Sequence, residues 1–512
     1  MKRIFELTGR RNIPSRASLD LPPLSIPKKR APKIPEKPWR LLDFPVEIQL
    51  TVLGLLSKND LASLSLVNKH LAEIAQPILH READLSCPPI RLENNFTPLL
   101  LFVRTLLNRP DLAQAVQHLH FDGYDFPRRI VDEYPTTFTA SLTREDKLKA
   151  LTLIHGSLLN DAVHWSKCFL AGQIDSIVAL LLALTPKVKT IYLGEDFSVE
   201  TDCLRLLLDP EGKSSSIYST LHNFEHLRQV TVNNHAVSCY HRRLNFTDAY
   251  QSFFHLDKLE RLSISTGFPK VPRAPLVSTK KLNNLKYLDL QRGSVAELGQ
   301  ILALVPNLTD LKYAFARNDK SRARSNPTKS LDLGALRESL EGHRLGLEKL
   351  ELLTIDLITY GTHSVRWAFK IQGPPLKLYD FSNLRLLTVP WIFIAGNSMA
   401  AHPTPLRYII PESVVQLSLT DDLHQERCWG WASKDMQDMV TNYLHDVDES
   451  RTALASMYLV GPFITKILTD EQLFFTRLFA RSAGIDFRAV EMTIPERDEL
   501  REKNERARRY AP

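Results

Sequence analysis

The chain has 512 residues, 44% of them hydrophobic and 24% charged, and a formal net charge of +7. A chain this long encloses a sizeable core without disulfide or metal staples, which sets aside the small cross-linked scaffolds. Its five cysteines, Cys87, Cys168, Cys203, Cys239 and Cys428, are odd in number and far apart, with no C-x-x-C pair. Neither a disulfide framework nor a cysteine-rich zinc site is expected, and a reducing compartment is.

The first 38 residues hold ten Lys and Arg against three acids, which is the whole of the positive excess. Residues 39–512 are therefore neutral overall, and no general attraction for nucleic-acid phosphate is expected. The same stretch contains seven prolines, and a basic, proline-rich composition predicts a disordered tail over 1–38. Residues 28–33, KKRAPK, have the composition of a nuclear import signal, but a plain solvated basic tail is the simpler reading. MKRIFELTGRRN at the start lacks the apolar core of a secretory signal. The longest apolar run, 177–184, is too short to span a bilayer and is followed by Pro186. No membrane partner is expected, and the chain reads as soluble and intracellular, in the cytoplasm, the nucleus or both.

Residues 39–82 predict a compact helical module. Pro45 suits a helix start and Glu47 the positive helix end. Ile48, Leu50, Val52, Leu53, Leu55 and Leu56 make that helix apolar over most of its circumference. The SKND break at 57–60 offers Asn59 or Asp60 as the next N-cap. Leu61, Leu64, Leu66 and Val67 follow, then a short helix with Leu71, Ile74 and Ala75, and Pro77 as its exit. About 40 residues cannot enclose so many large aliphatic side chains. Some must pack on the rest of the chain or on a partner protein.

From 83 to 490 one local shape recurs, loosely L-x-x-L-x-L. It occurs at 116–121, 188–193, 227–232, 259–264, 285–290, 308–313, 347–352, 384–389, 414–419 and 454–459. Between its last two apolar positions stand His120, Tyr192, Thr231, Ser263, Asp289, Lys312, Glu351, Thr388, Ser418 and Tyr458, none of them aliphatic. That alternation predicts strands with one buried and one open face. Helix-then-breaker patterns precede several of them, ending at Pro186 and Pro306, and another amphipathic stretch precedes the 347 strand. Asn284, Asn307 and Asn383 stand immediately before theirs. From 188 onward the strands start 23 to 40 residues apart, which fits a helix plus a strand per unit and a stack of parallel strands. The basic stretch 317–330 reads as a surface loop, and 491–512 as a charged tail.

No catalytic constellation stands out. HNFEH at 222–226 lacks the Glu that H-E-x-x-H places beside its first His, and His118 and His120 share one side of a strand without carboxylate or cysteine company in sequence. Asp421–Asp422 fits a turn after a strand, and Cys168 and Cys203 fit a core. No phosphate-loop or nucleophile-elbow motif occurs. No metal or cofactor is expected, and the chain is not expected to be an enzyme.

The string FPVEIQLTVLGLLSKNDLASLSLVNKHLAEIA resembles an F-box, matching it at Pro45, Glu47, Ile48, Leu53, Leu56, Asp60, Leu61, Leu64, Leu66, Val67 and Lys69. Phe44 stands for the usual Leu, and His70 and Leu71 where a Trp is common. The strand region resembles the leucine-rich repeats attached to F-boxes, and the whole is similar to fungal F-box proteins of that kind, without an Asn ladder after the strands and with an irregular period. The resemblance implies an α/β chain: a small all-helical F-box-like module at 39–82, then an irregular leucine-rich-repeat-like solenoid of parallel strands at 83–490. It implies docking on a Skp-type adaptor, and through it a cullin, by Phe44, Pro45, Ile48, Leu53, Leu56, Leu61, Leu64 and Val67. An unidentified protein substrate is then expected on the open strand face, at Tyr192, Thr231, Ser263, Asp289, Lys312, Glu351, Thr388 and Ser418. The rival expectations are a scaffold whose helices only cap the solenoid, and an enzyme with an unfamiliar site.

Overall fold

The computed structural model describes residues 41–86, 97–122, 142–159, 161–194, 197, 202–208, 221, 223–233, 253–254, 256–265, 281–291, 295–317, 330–356, 370–396, 404–421, 431–450, 453–461 and 468–491. The tail expected at 1–38, all but Glu491 of the tail expected at 491–512, His222, Asp422, most of the basic stretch 317–330, and Cys87, Cys239 and Cys428 lie outside them. The chain divides into two compact units between Leu55 and Leu56, inside the stretch read as one helical module.

In the first unit a 3-10 turn, Leu41–Asp43, leads into helix α1, Val46–Leu53. Pro45 stands just ahead of α1, and its carbonyl accepts from Ile48 N at 3.0 Å and Gln49 N at 3.1 Å. The buried Gln49 side chain donates back to Phe44 O at 2.7 Å, which fixes the entry of the chain.

The second unit opens with α2, Lys58–Ser65, and α3, Lys69–His80. Ser57 caps α2, in place of the expected Asn59 or Asp60. Its Oγ accepts from Asp60 N at 3.2 Å and donates to the Asp60 carboxylate at 2.7 Å, so Asp60 is the cap's partner. Asn68 caps α3 by accepting from Leu71 N at 2.8 Å. Pro77 lies inside α3 and does not end it. The carbonyl it deprives of a donor belongs to Glu73, an exposed residue.

The strands are β1 (Glu82–Asp84), β2 (His118–Phe121), β3 (Thr190–Leu193), β4 (Gln229–Val232), β5 (Arg261–Ser265), β6 (Tyr287–Gln291), β7 (Asp310–Arg317), β8 (Ser330–Asp332), β9 (Lys349–Asp356), β10 (Lys370–Gln372), β11 (Leu386–Pro390), β12 (Gln416–Thr420), β13 (Ser456–Val460) and β14 (Asp486–Val490). Twelve of them form one parallel sheet in sequence order, β1-β2-β3-β4-β5-β6-β7-β9-β11-β12-β13-β14, while β8 and β10 pair separately. All ten strands expected from the recurring motif are present. The additions are β1, β14 and the β8–β10 pair.

Register follows from burial. The row Ala83, Leu119, Ile191, Val230, Leu262, Leu288, Leu311, Leu350, Leu387, Leu417, Met457, Phe487 is buried without exception. A slip by one residue in any strand would turn that strand's row out of the core. The leucine or valine that opens each motif is also buried, and in most of them it closes a tight turn. Leu227, Leu259, Leu285 and Leu384 each donate a backbone N–H to the residue three before. Asn284, Asn307 and Asn383 then donate their side-chain amides to the preceding turn, at Asp257 O (2.7 Å), Asn283 O (2.9 Å) and Leu345 O (2.6 Å). Asparagine bridges therefore run ahead of these strands, where the sequence shows no ladder after them.

Helices fill several crossovers, as parallel strands require. Ile174–Leu184 is buried throughout residues 175–183. Its Asp175 carboxylate accepts from Cys203 N at 2.5 Å and Leu204 N at 3.2 Å, capping the next helix, Asp202–Leu208. Val295–Leu302 and Leu333–Leu340 pack on each other between later strands. Among the described residues no single helix is long and apolar enough to cross a membrane. Ala162–Leu170 and Ile174–Leu184 reach that length only together, bent by 118°.

Candidate functional site

The side chains expected on the open strand face fall into one register row. It runs Asp84, His120, Tyr192, Thr231, Ser263, Asp289, Lys312, Glu351, Thr388, Ser418, Tyr458, Arg488 across the twelve strands. The row is not open along its length. Asp289 and Lys312 are buried, with their side chains 3% and 4% exposed, and Thr231 and Ser418 are buried as well. Burial is tolerated because the charges pair: Lys312 Nζ lies 3.1 Å from Asp289 Oδ2, to which Ser263 Oγ also donates at 3.2 Å. Those residues build the sheet and cannot meet a substrate directly, whereas Tyr192, Ser263, Glu351 and Thr388 are partly accessible.

At the β1 end the same face opens into a cleft of about 130 Å³, lined by Lys58, Glu82, Asp84, His118, His120 and Tyr192 among others. The His120 and Tyr192 rings stack with centroids 4.2 Å apart, and Asn233 donates to the Tyr192 hydroxyl at 3.0 Å. His118 Nδ1 meets Thr190 Oγ1 at 2.8 Å. Burial pulls the His118 imidazole below the ordinary histidine range against the opposing charge of Glu82. Lys58, at the start of α2, donates to Glu82 O at 3.2 Å. Stacked rings, hydrogen-bonding groups and both charge signs suit recognition of a polar segment. The sequence hid this arrangement because β1 carries no leucine motif. Its pairing sets Glu82 opposite His118 and Asp84 opposite His120, which is the carboxylate company those histidines lack in sequence.

The residues the resemblance assigns to adaptor contact divide by burial. Leu53 and Leu61 are buried, Phe44, Leu56 and Leu64 are half-buried, and Pro45, Ile48 and Val67 are exposed. More apolar surface lies open than those eight residues supply. In the first unit Val46, Leu50 and Val52 are exposed on α1, with Leu55 at 84%. In the second unit, just after α2, Leu66 is 87% and Val67 65% exposed. The all-round apolar character of α1 was the sequence signal for this excess.

A scan against protein-family models matches none of them, and a search of curated proteins finds no match.

Proposed function

We propose that the chain is a substrate-recognition subunit of a Skp-cullin-F-box type ubiquitin ligase. Residues 44–76 dock a Skp-type adaptor and, through it, a cullin. The sequential parallel strands form an irregular leucine-rich-repeat-like solenoid that recruits a protein target. The observation that carries this reading is the exposed aliphatic surface of α1. A helix that leaves Val46, Ile48, Leu50 and Val52 in water together is a docking element, since apolar helix faces are normally buried. The cleft beside His118, His120 and Tyr192 is the substrate surface favoured by the geometry. The chain would act by proximity, holding a target lysine near ubiquitin carried by another subunit.

Co-expression with a Skp-type adaptor, followed by size exclusion, tests the adaptor contact. The wild-type chain should elute as a stoichiometric complex, and Leu55→Asp and Val67→Asp should each weaken it at least about tenfold without loss of helical signal. Leu53→Asp and Leu61→Asp do not discriminate, because both side chains are buried and either substitution disrupts folding. A folded wild-type chain that forms no complex contradicts the proposal.

A further inference from the structure

The last described helix, Asp470–Ser482, lies between β13 and β14 and packs on β14 and the Ser433–Ser450 helix. It buries Leu473, Thr476 and Ala480. At 3.6 residues per turn the opposite face carries Phe474, Phe475, Leu478 and Phe479, all between 42% and 62% exposed. Three half-exposed phenylalanines and a leucine amount to roughly 300–400 Å² of apolar surface, as much as the largest patch on a typical monomer. In sequence, residues 496–509 are strongly charged, eleven of fourteen, with Leu500 their one large apolar side chain.

The charges on this helix indicate the occupant. Asp470 and Glu471 stand in its first turn, and Arg477 and Arg481 in its second half. All four are exposed, and among the described residues none has an ion-pair partner. Laid antiparallel on an identical helix, the acidic start of each meets the basic end of the other, while the phenylalanines meet across the axis. A parallel arrangement would set like charges together. We infer that this helix is a two-fold interface through which the chain pairs with a second copy of itself, antiparallel, with Asp470 of each copy facing Arg481 of the other. The contact is isologous and closes at two. The apolar patch supplies about half of the ~800 Å² per partner of a standard interface, and the flanking charges form its rim. The inference does not depend on the adaptor reading.

Sedimentation equilibrium of the full chain tests it. The wild-type chain should reach twice the monomer mass at roughly micromolar concentration. Phe475→Asp/Leu478→Asp should raise the dimer dissociation constant about 100-fold with an unchanged circular dichroism spectrum, since both side chains are exposed. Arg481→Glu should weaken pairing about fivefold at low salt, and adding Asp470→Arg should restore it. A wild-type monomer at every concentration, or a dimer that survives the double substitution, overturns the inference. A dimer indifferent to the charge exchange overturns the antiparallel docking.

Discussion

Asp289 and Lys312 face each other from neighbouring strands with almost no exposure. Their attraction offsets a desolvation penalty that neither charge would meet alone. Asp289→Asn should therefore lower stability by about 3–5 kcal/mol, because the buried Lys312 ammonium loses the carboxylate 3.1 Å away. The double substitution Asp289→Asn/Lys312→Met should recover most of that loss, and urea denaturation of the three proteins measures it. Equal losses in the single and double variants would mean that packing, not charge, decides this position. Gly461 shows a second local constraint. Its φ of +134° lies in glycine territory, and a Cβ there would stand 1.9 Å from an Asp421 carboxylate oxygen. Asp421 therefore lies directly against Gly461, and its backbone N–H donates to Val460 O at 3.0 Å.

At the scale of elements, Asp175 ties two helices together. Burial raises its carboxyl from 3.8 to about 7, against the pull of the two backbone N–H groups it caps. Between those values the folded chain keeps a proton that the unfolded chain releases, so stability falls as pH rises through this window. The slope is at most about 1.4 kcal/mol per pH unit, and it vanishes above about 7. Asp175→Asn removes the titration. Denaturation midpoints should show the wild-type chain losing ground to the variant from pH 4.5 to 7 and holding level beyond. A difference independent of pH would contradict a carboxyl held protonated. Ten strands of the large sheet were legible because each pairs alternating side chains with a leading buried leucine or valine. Strands β1 and β14 were not, since His80 and Gly484 stand at that leading position. Pairing across the sheet, not local pattern, makes them strands. The same reason hid the cleft, whose carboxylates come from β1.

Across the whole molecule, the twelve-stranded parallel sheet turns a scattered set of polar residues into one row. The sequence displayed which residues belong to the row but not which of them are covered, because burial of Asp289 and Lys312 depends on groups distant in the chain. Sequence pattern likewise marked residues 44–67 as apolar beyond need, while the structure separates Leu53 and Leu61, which are buried, from Leu55, Leu66 and Val67, which are open. The functional proposal rests on the open surface of α1, at Val46, Ile48, Leu50 and Val52. Amide hydrogen exchange of the full chain, with and without a Skp-type adaptor, tests it most directly. The expected result is new protection confined to residues 44–76, with the strands from β2 to β14 unchanged. Protection elsewhere, or none at saturating adaptor, contradicts the assignment of these helices to adaptor docking.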